Sequence, residues 1–152
     1  MNGLVQVSLP ESIQTELGIS VVHDTFHGGQ KTVFIVTMKN QKVALKIFPR
    51  GMQERDIREV EFYKSHAHLN GIPRLIDVRE ISGHPIVIEE FIDGACLNNI
   101  VENFAGKHMP IAKLLNDICT IMEPVWDEDF IHRDLKPHNI MISPDGQPVV
   151  ID

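Results

Sequence analysis

The apolar residues of this chain change their spacing part-way along it, which limits it to folds that join a sheet to helices. In the earlier part they fall in short runs rich in β-branched and aromatic residues: Ile19–Val22, Thr32–Thr37, Lys42–Phe48, Leu75–Val78 and Pro85–Phe91. Turn residues separate them, among them Gly28-Gly29, Lys39-Asn40 and Gly83, so each run is predicted to be a strand. Later, Ile111, Leu114, Leu115, Ile118, Met122 and Val125 recur at three- and four-residue steps, predicting a helix over 111–126 that Pro124 should kink near its end. Residues 53–68 lack Gly and Pro and fit another helix. Ser8-Leu9-Pro10-Glu11 reads as a capping box opening a short helix that Gly18 closes. Last, Ile140–Ile142 and Val149–Ile151 flank Ser143-Pro144-Asp145-Gly146, a hairpin signal. The class is α+β: a β-rich part with one main helix, then a mainly helical part with a hairpin.

Composition narrows the function classes. The 152 residues are 43% hydrophobic and 23% charged, near the globular average, which excludes a disordered or fibrous chain. One ordinary domain of this length buries about 70% of its unfolded surface. No apolar run approaches the roughly 20 residues needed to span a bilayer, so no membrane role is expected. Twenty-one acids against 14 bases give a net charge of −7, a poor basis for binding nucleic acid. The charge is uneven: residues 31–79 carry +5 and residues 80–131 carry −8, which reads as two solvated or mutually packed halves. Cys96 and Cys119 stand far apart with no C-x-x-C, and the first 30 residues hold no Lys or Arg. A disulfide framework and a targeting leader are therefore not expected, and a cytoplasmic setting is.

The stretch richest in chemistry is His132-Arg133-Asp134-Leu135-Lys136-Pro137-His138-Asn139. It packs an acid, a cation and an amide oxygen between a helix and a hairpin. Phosphoryl transfer needs those three groups: an acceptor for the attacking hydroxyl's proton, a positive charge against phosphate, and an oxygen ligand for Mg²⁺. Asp152, at the end of the apolar run Val149–Ile151, adds a carboxylate that could share a hard cation with Asn139.

With these residues the chain resembles the protein-kinase family, whose catalytic loop H-R-D-L-x-x-x-N is matched without a gap at 132–139. Val43-Ala44-Leu45-Lys46 resembles the family's V-A-I-K, whose Lys holds the α- and β-phosphates and pairs with a helix Glu. Of Glu54, Glu59 and Glu61, only Glu59 has a partly apolar residue, Tyr63, four positions on, so Glu59 is the expected partner. Ile88–Gly94 is similar to the segment that binds adenine through its backbone, which assigns those contacts to Glu90 and Ile92. Glu89 then takes the gatekeeper position, where the family usually carries an apolar side chain. The Gly-rich loop departs further: aligned on Val33, Phe26, Gly28 and Lys31 stand where three glycines are expected, and only Gly28, with Gly29 beside it, can bring the backbone close to phosphates.

The resemblance implies three segments: an N-terminal helical extension at 1–18, a kinase N-lobe at 19–91 and a partial C-lobe at 92–152. It implies ATP and Mg²⁺ as cofactors, with Val33, Ala44 and Met141 against adenine and Lys46 on the phosphates. Asn139 and Asp152 would bind the metal, Asp134 would accept the hydroxyl proton, and Lys136, typical of serine/threonine-type loops, would stabilise the transferring phosphoryl group. The expected function is ATP-dependent phosphoryl transfer to protein Ser/Thr hydroxyls. The family continues past this Asp with Phe-Gly and further helices, so a fragment is expected whose helix at 111–126 exposes apolar surface, open to a partner chain. Two other readings exist: a kinase-like nucleotide-binding or inactive module acting through a partner, and a small-molecule phosphotransferase. The latter usually lacks the Lys136-Pro137 pair.

Overall fold

The computed structural model describes residues 8–151. They form two units: one takes the described residues of Met1–Ser65 with Leu75–Phe91, the other His66–Arg74 with the described residues of Ile92–Asp152.

The first unit is an antiparallel five-stranded sheet with two helices. Its strands are β1 (Ile19–His27), β2 (Thr32–Met38), β3 (Gln41–Ile47), β4 (Leu75–Ile81) and β5 (His84–Glu90), in the order β1-β2-β3-β5-β4. Lys39 and Asn40 both take positive φ (49° and 61°), the two-residue turn whose twist suits a hairpin between β2 and β3. Successive side chains on a strand point to opposite faces. One face buries Phe34, Val36, Val43, Leu45, Ile47, Ile86 and Ile88, and the helix α1 (Glu11–Leu17) covers it with Ile13 and Leu17, Leu9 joining from just before the helix. On the other side Phe48, Val60 and Val87 pack with Met52, Leu75 and Val78 beneath the helix α2 (Glu54–Ser65).

Two ends differ from the sequence expectation. The capping box at 8–11 does not form: Pro10 is the N-cap of α1 with no side-chain cap, and Gln14 Nε2 donates to Leu9 O at 2.7 Å instead. Burial of Leu9 draws the chain inward, so α1 starts from packing rather than from a hydroxyl cap. Gly18 closes the helix in the left-handed region (φ 63°), as its lack of Cβ permits. Helix α2 stops at Ser65 rather than 68, because residues 66–74 belong to the other unit. Its start is fixed by Asp56, whose Oδ2 accepts from Gln53 N–H at 2.8 Å.

The second unit is built on the helix α4 (His108–Trp126) and a three-stranded sheet β6-β7-β8: Ala95–Cys96, Ile140–Ile142 and Pro148–Val150. The short helix α3 (Leu97–Ile100) and 3-10 turns at Val101–Phe104 and Pro137–Asn139 connect them. Helix α4 begins three residues before the apolar periodicity and buries Ile118, Met122 and Val125. Helical bonding continues past Pro124, with Asp127 N–H donating to Glu123 O at 3.0 Å. The strip 66–74 is tied in by Val150 N–H donating to Gly71 O at 2.8 Å and by His66 Nε2 and Glu128 Oε1, 2.5 Å apart. Gly94 (φ 144°) has no room for a side chain: a Cβ there would lie 2.2 Å from Ile142 O. Met109 (80% exposed), Leu115 and Trp126 on α4, and Ile131 (66%) after it, are exposed apolar side chains. Among the described residues no helix is long and apolar enough to cross a membrane.

Candidate active site

Each unit gathers its own set of functional side chains. In the first, strand register puts Lys46 opposite Val33 on β2 and Val87 on β5, and Ala44 opposite Ile35 and Glu89. Val33, Ala44, Lys46 and Glu89 therefore share one face of the sheet. Lys46 is 5% exposed and Glu89 3%, and the ammonium lies 2.8 Å from Glu89 Oε1 and 2.7 Å from Oε2. Two charges removed from water this far stabilise each other, offsetting part of a desolvation cost of several kcal/mol for each. Sequence reasoning noted Glu89 only as an unusual acid, and the pairing of residues 43 positions apart comes from the β3–β5 register. Glu59 lies half-buried on α2, and Tyr63, four residues on, is buried as its spacing expects.

Gly28 and Gly29 form the turn between β1 and β2, closed by Gly28 N–H donating to Lys31 O at 2.9 Å. With Gln30 and Lys31 they line an open cleft of about 320 Å³ whose other wall is Arg55 and Asp56. Gln30 spans it: its amide donates to Gln53 Oε1 at 3.2 Å and its Oε1 accepts from Arg55 Nη2. Glu90, half-buried, pairs with Val43 at the end of β5. Ile92 begins the long segment of the second unit, where Met141 sits half-buried on β7 opposite Cys96 and Val149.

In the second unit the loop before β7 brings Asp134, Lys136 and Asn139 together. Asp134 Oδ2 accepts from Lys136 Nζ at 2.8 Å and from Asn139 Nδ2 at 3.0 Å, and the same Nδ2 donates to Asp134 O at 2.9 Å. The Lys136 ammonium holds the Asp134 carboxyl below its ordinary value of 3.8, with the Asn139 amide assisting, against an opposing effect of desolvation. Asp134 is thus a carboxylate at neutral pH. Asn139 is buried, and because its Nδ2 is committed to Asp134, its Oδ1 is the atom left to meet a hard cation, a donor suited to Mg²⁺. Asp152, its expected companion, lies outside the described residues.

The loop's shape is held by its neighbours. Arg133 sits in the left-handed region (φ 64°), a conformation costing a non-glycine residue about 1–2 kcal/mol, immediately before Asp134. Cys96 Sγ reaches Pro137 O at 3.5 Å and His138 O at 3.6 Å, bracing the loop's far end, a contact no local motif announces. Asn139 O accepts from Ile151 N–H at 2.9 Å.

The description "protein kinase domain" matches residues 27–152, most of the chain. The chain belongs to the protein kinase domain family. Over 145 residues it is 28% identical to the serine/threonine-protein kinase pkn2 of Myxococcus xanthus, covering 88% of this chain and 17% of that one. It is 25% identical to the probable serine/threonine-protein kinase PknB of Lactococcus lactis (87% and 22%), and 31% identical to the serine/threonine-protein kinase pakB of Dictyostelium discoideum (82% and 15%). This kinase domain chain therefore spans about a fifth of the length of the curated relatives it matches. Its fold is that of the solved structure of PpkA-294 in its apo form, with a TM-score of 0.68 and 19% identity over 86% of this chain and 57% of that one.

Proposed function

We propose that this chain carries ATP-dependent phosphoryl transfer to serine or threonine hydroxyls of a protein substrate. The observation that carries the reading is the Asp134–Lys136–Asn139 cluster: a carboxylate held ionised by an ammonium 2.8 Å away and positioned by a buried amide. The serine/threonine class rests on the names of the relatives and on Lys136 in the loop.

In this reading the substrate hydroxyl donates a hydrogen bond to Asp134, which aims the oxygen at the γ-phosphorus. As the new O–P bond forms and the bond from the γ-phosphorus to the β-bridging oxygen breaks, the hydroxyl proton passes to the Asp134 carboxylate. Lys136 faces the charge spread over the moving phosphoryl oxygens. Such catalysis is positioning and electrostatics, with little covalent work for the protein. In the first unit Lys46 takes the α- and β-phosphates, while Val33 and Ala44 offer apolar contact to adenine. Asn139, with Asp152, would hold Mg²⁺, which when bound neutralises phosphate charge. The two unbridged cysteines, Cys96 and Cys119, support a reducing, cytoplasmic setting.

The test is transfer of labelled γ-phosphate from Mg-ATP to a Ser/Thr peptide library. Wild type should label the library, and Asp134→Asn should reduce the rate by about a hundredfold or more. Equal labelling by both proteins, or no Mg-ATP binding by wild type, would refute the reading.

A further inference from the structure

The nucleotide-holding lysine already has an anion in place. We infer that Glu89 is a displaceable counter-ion for Lys46, which occupies the ammonium while the site is empty and weakens the hold on nucleotide phosphates when it fills. This deepens the nucleotide-binding reading proposed above and rests on it.

The geometry supplies the argument. Glu89 stands diagonally across from Lys46, one strand over and on the same sheet face, with both carboxylate oxygens within 2.8 Å of the ammonium. Neither side chain reaches solvent to any extent, so water screens their interaction little. For an empty site the pairing is useful, because a buried ammonium without an anion is costly. For a filled site the same carboxylate is a fixed negative charge close to where polyphosphate must approach. An incoming triphosphate therefore meets an ammonium already partly neutralised and a like charge beside it, and in a poorly screened setting both effects are large. A neutral side chain at position 89 removes both.

The effect has a signature that general loosening of the fold lacks. It should grow with the number of phosphates and vanish for adenosine, which carries none. Glu89 is thus a positioning residue that sets affinity through Lys46 rather than by touching the base.

The experiment is calorimetric titration of wild type, Glu89→Gln and Glu89→Met with Mg-ATP and, separately, with adenosine. The expected result is Mg-ATP binding about tenfold tighter in either variant, with adenosine affinity unchanged. Wild type binding Mg-ATP while a folded variant binds it no tighter overturns the inference and leaves the nucleotide reading standing. An equal gain for adenosine overturns it too, since Glu89 would then act on the base pocket. If none of the three proteins binds Mg-ATP, the nucleotide reading fails and the inference goes with it. Should neither variant fold by circular dichroism, the carbon-13 carboxyl resonance of Glu89 in the wild type decides. A shift on adding Mg-ATP but not adenosine supports displacement, and a resonance that stays put when Mg-ATP binds overturns it.

Discussion

Replacing Ile13 by Ala tests whether α1 is part of the first unit's core or an appendage to it. Ile13 has no exposed surface and lies in one cluster with Phe34, Val36, Leu45, Ile86 and Ile88 of the sheet. The substitution deletes three buried carbons, worth about 0.8 kcal/mol each in transfer alone, or about 2.4 kcal/mol. The cavity left among strand side chains that cannot close over it raises this to between about 3 and 4 kcal/mol. Alanine's better helix propensity returns about 0.4 kcal/mol. The net is a loss of about 3 kcal/mol, a large share of the roughly 5–15 kcal/mol that holds a domain together. The assay is urea unfolding followed by the fluorescence of Tyr63, the chain's one tyrosine, which lies in the first unit. With a slope of about 2 kcal/mol/M the midpoint should fall by about 1.5 M. Glu16→Ala, at an exposed position of the same helix, should change stability by no more than about 0.5 kcal/mol. If the two variants unfold together, the helix does not share the sheet's core and the reasoning is wrong.

Two further outcomes follow, at Lys136 and at Gly94. Lys136→Met removes the main cause of the low Asp134 pKa, so the carboxyl should titrate higher than in wild type, closer to its ordinary value. Because the folded-state value is depressed, the associated stabilisation is present above 3.8 and is lost as pH falls through the folded value. In the variant that loss should be smaller, and an Asp134 carboxyl resonance titrating as in wild type would contradict it. Gly94→Ala forces a Cβ to within 2.2 Å of the Ile142 carbonyl oxygen and should cost about 3 kcal/mol or more, read from Trp126 fluorescence in urea. Gly83→Ala, with positive φ but open space around it, should cost only about 1 kcal/mol, and equal costs would refute the steric account.

What the residues announced in advance depended on how local the cause was. The arrangement of the loop 132–139 was legible because Asp134, Lys136 and Asn139 lie within six positions, and short-range hydrogen bonds fix their geometry. Strands β2, β3 and β5 were legible because β-branched runs between turn residues have few other uses. Strand β1 extends to His27, beyond the expected Ile19–Val22, because an edge strand tolerates polar residues such as the exposed His23 and Asp24. The two-residue strand β6 and the helix α3 gave no sign, being too short to carry a period and held by contacts with β7. The Lys46–Glu89 pair was hidden for the same reason: the register of β3 against β5 creates it, and no spacing along the chain encodes a cross-strand neighbour.

The detour of residues 66–74 bears on any attempt to divide the molecule. The polypeptide changes units three times, after Ser65, after Arg74 and after Phe91, so one cut cannot release the sheet cleanly. A chain shortened at Phe91 keeps all five strands but drags along a strip whose anchor, the Val150 amide, has been discarded. During synthesis the same strip leaves the ribosome long before Glu128 and that amide, its two ties to the later part of the chain, are made. The sheet can be isolated only by rewriting the strip as a plain turn, and the helical unit only by moving the strip, through permutation, beside the strand it serves.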